Sequence, residues 1–384
     1  MDRYLKIPFL GKLFYEFKHP DRLAELRLAP HLDRATATLG RVDRGAFFSR
    51  FAYPTLREAA DDDPGAASAL TYFYEPFLEA FDPELRKELG VWYTPPEIVR
   101  YQVRKVERLL KDKLGCRAGF ADERVVVLDP CCGTGAYLLE VIRRIAAAIR
   151  ARGDEAMLAA ELLEAVSTRI IGFEILTAPF VIAQLQLYLI LSDLGAALAG
   201  SRRPAVFLTN ALTGWDDPAQ IKVNFPELRE EHELARHVKR DARIIVVLGN
   251  PPYNRFAGAA IAEEADLVDH YKGIRRRPDR KGKARQAGES LLYTRWGIRK
   301  QLLDDLYIRF FRLAETRIGE KAEYGIVSFI SNSSYLTGRS HPIMRESLLT
   351  KASLSAGHPM ALLRDRRPPP EQAAARIWPE RFGQ

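Results

Sequence analysis

Five short runs of β-branched and aliphatic residues punctuate the chain, at 125–128, 169–173, 205–208, 244–248 and 324–330. Each is too short for a helix and lacks the polar alternation of a half-exposed strand. They therefore predict strands covered on both faces, as in a parallel sheet. Between them, apolar residues recur at helical spacing over 136–150, 178–193 and 304–317, and this alternation predicts an α/β fold. Ahead of the first strand, Pro95 and Pro96 suit a first helical turn, and an amphipathic helix is expected over 95–114. Residues 1–89 read as a charged helical extension, with Leu23, Leu26, Leu28, Phe47, Phe48 and Phe51 as candidate core positions and a turn at Asp61-Asp62-Asp63-Pro64-Gly65. The most apolar stretch, 175–191, contains Gln184 and Gln186 and is slightly too short to span a bilayer. It predicts a helix buried against the sheet, and no membrane association.

Two strand ends carry the chemistry. The run Ile244-Ile245-Val246-Val247-Leu248-Gly249 ends in Asn250-Pro251-Pro252-Tyr253. That turn presents a carboxamide oxygen, a backbone carbonyl and an aromatic face together, with φ fixed by two prolines. An exocyclic amine held for methyl transfer needs two acceptors for its N–H groups and a ring on which its base can stack. Taken alone, the turn is equally a strand followed by a proline bend. The first strand ends in Asp129-Pro130-Cys131-Cys132-Gly133-Thr134-Gly135-Ala136-Tyr137, a glycine loop opening a helix. It lacks the lysine of a phosphate-binding loop and the full GxGxxG spacing of a dinucleotide site. Asp129 suits an amino group and the loop suits a carboxylate, so a ligand carrying both, such as the methionine end of S-adenosyl-L-methionine, is expected. Glu174, at the end of the second strand, stands where doubly wound folds place an acceptor for ribose hydroxyls.

The pair DPCCGTG and NPPY resembles the adenine-N6 DNA methyltransferases, with cofactor motifs ahead of the catalytic one. Gly90-Val91-Trp92-Tyr93-Thr94-Pro95-Pro96-Glu97 resembles the element preceding the glycine loop in those enzymes. The strand at 324–330, with Met344-Arg345-Glu346, resembles the strand and helix that come after the catalytic turn in them. The nearest resemblance is to the methyltransferase region of single-polypeptide type I-like (type ISP) restriction–modification enzymes, over roughly residues 73–349. It implies a Rossmann-like class I S-adenosyl-L-methionine-dependent methyltransferase sheet acting on double-stranded DNA, with the target adenine flipped out of the helix. Asn250, Pro251, Pro252 and Tyr253 would then be catalytic. Tyr93, Thr94, Pro95, Asp129, Cys131, Gly133, Gly135 and Glu174 would surround the cofactor. Asn210 stands where the family commonly has an acid facing the cofactor adenine, and its carbonyl can still accept from an amine.

Composition narrows the classes without choosing among them. The chain has 384 residues, 47% hydrophobic and 28% charged, with a formal charge of +8 and a pI near 9.3. A basic balance suits a polyanionic partner. Three cysteines at 116, 131 and 132 make no disulfide framework or four-ligand metal site, no secretory leader is readable, and a cytoplasmic location is expected. Residues 254–301 read as a basic insertion without a core pattern, in which Lys272, Arg275, Arg276, Arg277 and Lys281 would neutralise DNA phosphates. The catalytic region is expected over 90–352. After it, 353–384 reads as an irregular tail where the family continues into a last strand hairpin and a target-recognition domain. The expectation is a truncated methyltransferase working with a separate target-recognition or restriction subunit. The competing readings are an inactive remnant, a DNA-binding subunit, or a methyltransferase of protein glutamine or ribosomal RNA.

Overall fold

A computed structural model describes residues 29–43, 94–198, 202–215, 226–253, 262–274, 290–298, 303–322 and 324–354. In chain order the helices and strands are α1 (Ala29–Gly40), α2 (Pro96–Lys113), β1 (Val127–Asp129), α3 (Ala136–Ala151), α4 (Leu158–Thr168), β2 (Ile170–Glu174), α5 (Thr177–Asp193), β3 (Val206–Leu208) and α6 (Pro226–Asp241). There follow β4 (Val246–Gly249), α7 (Ala262–Lys272), α8 (Leu291–Trp296), α9 (Leu306–Glu315, running on as wider π-type turns over Thr316–Ala322), β5 (Ile326–Phe329), α10 (Ser334–Thr337) and α11 (Pro342–Leu354). Of the expected N-terminal helical region only α1 is among the described residues; the core positions proposed there lie outside them, as do tail residues 355–384.

The strands form one sheet in the order β3-β2-β1-β4-β5, every neighbouring pair parallel. This is the parallel α/β sheet anticipated from the five apolar runs, in the Rossmann-like form that the resemblance implied. Period-two alternation divides each strand between two cores. Val127, Ile170, Val206 and Val246 face a layer built from α2, α3, α4 and α5. Leu128, Ile171, Phe207 and Val247 face the layer of α6, α7, α9 and α11. With both faces covered, the strands need no polar positions, which is why they stand out in the sequence. Among the described residues β5 is the last strand, so the family's closing hairpin is not seen.

Gln184 and Gln186 explain why the apolar α5 is not a membrane segment. Gln184 Nε2 donates to the Val206 carbonyl at 2.9 Å, and Gln186 Nε2 donates to the Thr134 carbonyl at 2.9 Å. The two amides lock the helix to β3 and to the glycine loop. Among the described residues no helix is long and apolar enough to cross a membrane.

The stretch expected to be a coreless insertion is corrected at both of its described parts. In α7, Val268 and Tyr271 are fully buried, and Tyr271 Oη donates to Glu315 Oε2 on α9 at 2.8 Å. Leu292 of α8 is likewise buried, under an N-terminal cap in which Ser290 Oγ accepts from Leu292 N. The cations and turn residues between them hid this packing, because the buried positions are few and separated.

Candidate active site

The sheet reverses its winding between β1 and β4: β2 and β3 lie on one side of β1, β5 on the far side of β4. Ligand crevices of open α/β sheets form at the carboxyl ends of strands at such a switch point. Both motifs singled out in the sequence leave the sheet there, DPCCGTG from β1 and NPPY from β4, on strands paired as Val127↔Val246 and Leu128↔Val247. A β-carbon added to Gly249 would sit 2.7 Å from Asp129 Oδ1 and 3.5 Å from Cys131 Sγ. The absence of a side chain therefore lets the carboxyl of β1 lie against the backbone entering the NPPY turn. Gly249→Ala is expected to cost roughly 2 kcal/mol by overpacking, read as a melting temperature lowered by about 4–8 °C. Unchanged melting would mean the junction has slack.

Asp129 is fully buried. Its Oδ1 accepts from Cys131 N at 3.1 Å, while Oδ2 has no partner. Burial, reinforced by the charge of Glu174, pushes its pKa up to about 8. The same burial, with Asp129 next in effect, raises both adjacent thiols far above their ordinary range. Cys132 is thus a small side chain packed under the loop, while Cys131 is partly accessible.

The glycine loop turns through positive φ at Gly133 (54°) and at Gly135 (91°), the residue capping α3. Glu174 closes it: its carboxylate accepts from Gly133 N at 2.9 Å, Ile175 N at 2.9 Å and Leu176 N at 2.8 Å. Burial raises the Glu174 pKa, and these three backbone donors oppose the rise. The end of β2 is thereby fastened to the loop after β1.

On the other side, Asn250 Nδ2 donates to Thr94 Oγ1 at 3.2 Å, and Tyr253 Oη donates to Asn250 Oδ1 at 3.3 Å. A separation of 156 residues is closed by the first of these bonds, which brings the TPPE element to the NPPY turn. The Tyr253 ring lies 6.0 Å from that of Tyr307 on α9, at 37°, and Tyr307 Oη reaches Ser334 Oγ at 3.1 Å. Thr94 is buried and Pro95 exposed; Tyr93 lies outside the described residues.

Beyond β3, Asn210 Oδ1 accepts from Leu212 N at 2.9 Å and its Nδ2 donates to Glu264 Oε1 of α7 at 2.8 Å. Beneath it sits Lys239 of α6, 2% exposed, with Nζ donating to Thr209 Oγ1 (3.0 Å), the Asn210 carbonyl (2.7 Å) and the Thr213 carbonyl (2.9 Å). The ammonium also lies 5.1 Å from the centre of the Phe173 ring. Lys239 and Glu264 were not found from the sequence. Their signal is positional, since both lie on buried helix faces whose other members are few apolar residues.

Of the cations proposed to meet DNA phosphates, Lys272 is held by Asp304 at 2.5 Å with its side chain 14% exposed. Arg275, Arg276, Arg277 and Lys281 lie outside the described residues.

A family model described as N-6 DNA Methylase matches residues 66–272, more than half of the chain. The chain belongs to the N-6 DNA methylase family. The match includes the TPPE element, the glycine loop, the NPPY turn and α7. Comparison with curated proteins gives no match. Among solved structures, this chain is similar to the DrdV–DNA complex, with 24% identity and a TM-score of 0.53 over 74% of this chain and 24% of that one. It is also similar to the ATP-dependent type ISP restriction–modification enzyme LlaBIII bound to DNA, with 19% identity and a TM-score of 0.56 over 90% of this chain and 22% of that one. A nuclease-deletion mutant of the type ISP enzyme LlaGI with a DNA substrate mimic matches at 19% identity and a TM-score of 0.52, over 68% of this chain and 20% of that one. At these identities the likeness is one of fold. The chain spans less than a quarter of the length of each.

Proposed function

We infer that this chain transfers a methyl group from S-adenosyl-L-methionine to the N6 amine of an adenine flipped out of double-stranded DNA, within a restriction–modification system. The observation that carries the reading is the meeting of Asp129 and the NPPY turn on adjacent strand ends at the switch point. The residues present fit the cofactor. The unpartnered buried oxygen of Asp129 suits its ammonium group. Oε2 of Glu174, which accepts only from Gly133 N, retains acceptor capacity for a ribose hydroxyl, while Oε1 is filled by Ile175 N and Leu176 N. When bound, the cofactor supplies a methyl group on a positively charged sulfur.

The protein's contribution is positioning and electrostatics. The N6 lone pair of adenine is delocalised into the ring, so the amine is a poor nucleophile. Asn250 Oδ1 and the Pro251 carbonyl accept its two hydrogens and draw the nitrogen toward a tetrahedral shape, freeing the lone pair. Thr94 steadies the Asn250 carboxamide, its hydroxyl accepting from Nδ2. The Tyr253 hydroxyl occupies Oδ1 at 3.3 Å, a long bond that the incoming amine displaces. The ring of Tyr253, backed by Tyr307, then stacks on the base.

DNA is favoured over RNA or protein by the family and by the DNA bound in the DrdV and LlaBIII complexes. Arg275, Arg276, Arg277 and Lys281 are proposed to neutralise phosphates beside the turn; such contacts position a duplex without reading its sequence. A separate target-recognition subunit would supply that reading. Transfer of label from methyl-labelled S-adenosyl-L-methionine to DNA, with none to RNA or protein, is the expected result. Label in ribosomal RNA or in glutamine would replace this reading, as would cofactor binding without transfer to any of the three.

A further inference from the structure

The geometry points to Glu264 as a positioning residue that sets Asn210 to read a 6-amino purine and to reject a 6-oxo purine. The inference rests on the proposed cofactor and deepens it, by assigning how the adenine end is told from its analogues.

An asparagine side chain can turn over, exchanging oxygen for nitrogen at little cost, unless its neighbours forbid it. Here they do. Glu264 is acceptor-only toward Nδ2, and Leu212 N–H is donor-only toward Oδ1. Turning the amide over would set oxygen against carboxylate and NH2 against N–H. Glu264 is itself fixed, because its other oxygen accepts from Arg309 Nη1 at 2.7 Å, and Arg309 is 1% exposed with Nη2 donating to the Asp304 carbonyl at 3.0 Å. Lys239 holds the backbone of Asn210 from below. The carboxamide keeps one N–H and one oxygen lone pair beyond these bonds. An adenine edge offers the matching pair, an amine that donates and a ring nitrogen that accepts. An acid at this position could only accept. A 6-oxo purine presents the opposite pair, which a turned-over amide would satisfy, and Glu264 prevents that turn.

Calorimetric titration with S-adenosylhomocysteine and with S-inosylhomocysteine tests this without requiring turnover. The wild-type chain should favour the adenosyl ligand by roughly tenfold or more. Glu264→Gln keeps the shape and leaves an oxygen for Arg309, so its NH2 faces Asn210. Either orientation of the Asn210 amide then sets its NH2 against one donor, the new NH2 or Leu212 N–H, and the two become comparable. The preference should fall to about twofold or less, with a lowered melting temperature because buried Arg309 loses its counter-charge, and Asn210→Ala, which leaves that ion pair intact, should lose the preference as well. An unchanged preference in Glu264→Gln overturns the assignment of Glu264. If Asn210→Ala alone keeps the full preference, Asn210 does not meet the base and the inference fails while the cofactor reading stands. Binding of neither ligand by the wild-type chain defeats the cofactor reading itself.

Discussion

Asn250→Ala should cripple transfer to DNA, lowering kcat by on the order of 10²–10³-fold, while cofactor affinity stays nearly the same. The side chain sits at the exit of β4 with its nitrogen on Thr94 and its oxygen on the Tyr253 hydroxyl. The carboxamide is thus held in place before any substrate arrives. Removing it takes away one of two acceptors for the amine and leaves Asp129, Glu174 and the glycine loop untouched. The companion change Tyr253→Ala should weaken DNA binding and transfer by roughly 5–150-fold, the worth of one base stacked on an aromatic ring. Tyr253→Phe keeps the ring and should cost far less. Single-turnover rates measured beside calorimetric cofactor affinities separate these effects. Equal losses of transfer and cofactor affinity in Asn250→Ala would place Asn250 in the cofactor site instead.

Cofactor affinity should climb about tenfold per pH unit between roughly pH 6 and 7.5, then level near pH 8. The cause is Asp129, whose carboxyl is held protonated by burial up to a pKa of about 8. In the unliganded fold this pKa lies above the ordinary carboxyl value near 4. Its contribution to stability is therefore fully present below about pH 4 and is lost as pH rises through about 8. A bound ammonium group reverses the preference by favouring the carboxylate, so binding below that pH expels one proton. Above it the free α-amino group begins to lose its own proton and the gain ends. Calorimetry in buffers of different ionisation enthalpy near pH 6.5 should count about one proton released per ligand, and Asp129→Asn should release none. Binding without proton release in the wild-type chain would show that Asp129 does not meet the ammonium.

The sheet was legible because its strands are buried on both faces and so read as uninterrupted apolar runs; all five lie where those runs stand. The helices that carry support for the site were not. On α6 the residues facing inward include Glu231, Ala235 and Lys239, spaced four apart, and on α7 they include Glu264, Val268 and Tyr271. A pattern of apolar spacing cannot register a face whose end members are charged. Their charges are matched only in space. Glu231 pairs with Arg203 from the β3 approach, Glu264 with Arg309, and Lys239 with two carbonyls and a hydroxyl of the loop after β3. The motif residues were readable for the opposite reason: strand end, glycine turn and proline turn are local features. Asn210 was visible as a departure from the resemblance, but the carboxylate of Glu264 beside it, 54 residues on, was not.

The most direct measurement digests DNA to nucleosides after incubation with trideuteromethyl S-adenosyl-L-methionine and the full chain, and weighs the products by mass spectrometry. N6-methyldeoxyadenosine carrying the deuterated methyl is expected with the wild-type chain, and about 10²–10³-fold less with Asn250→Ala. Deuterated methyl on cytosine, or on adenine at equal yield with Asn250→Ala, would contradict that expectation.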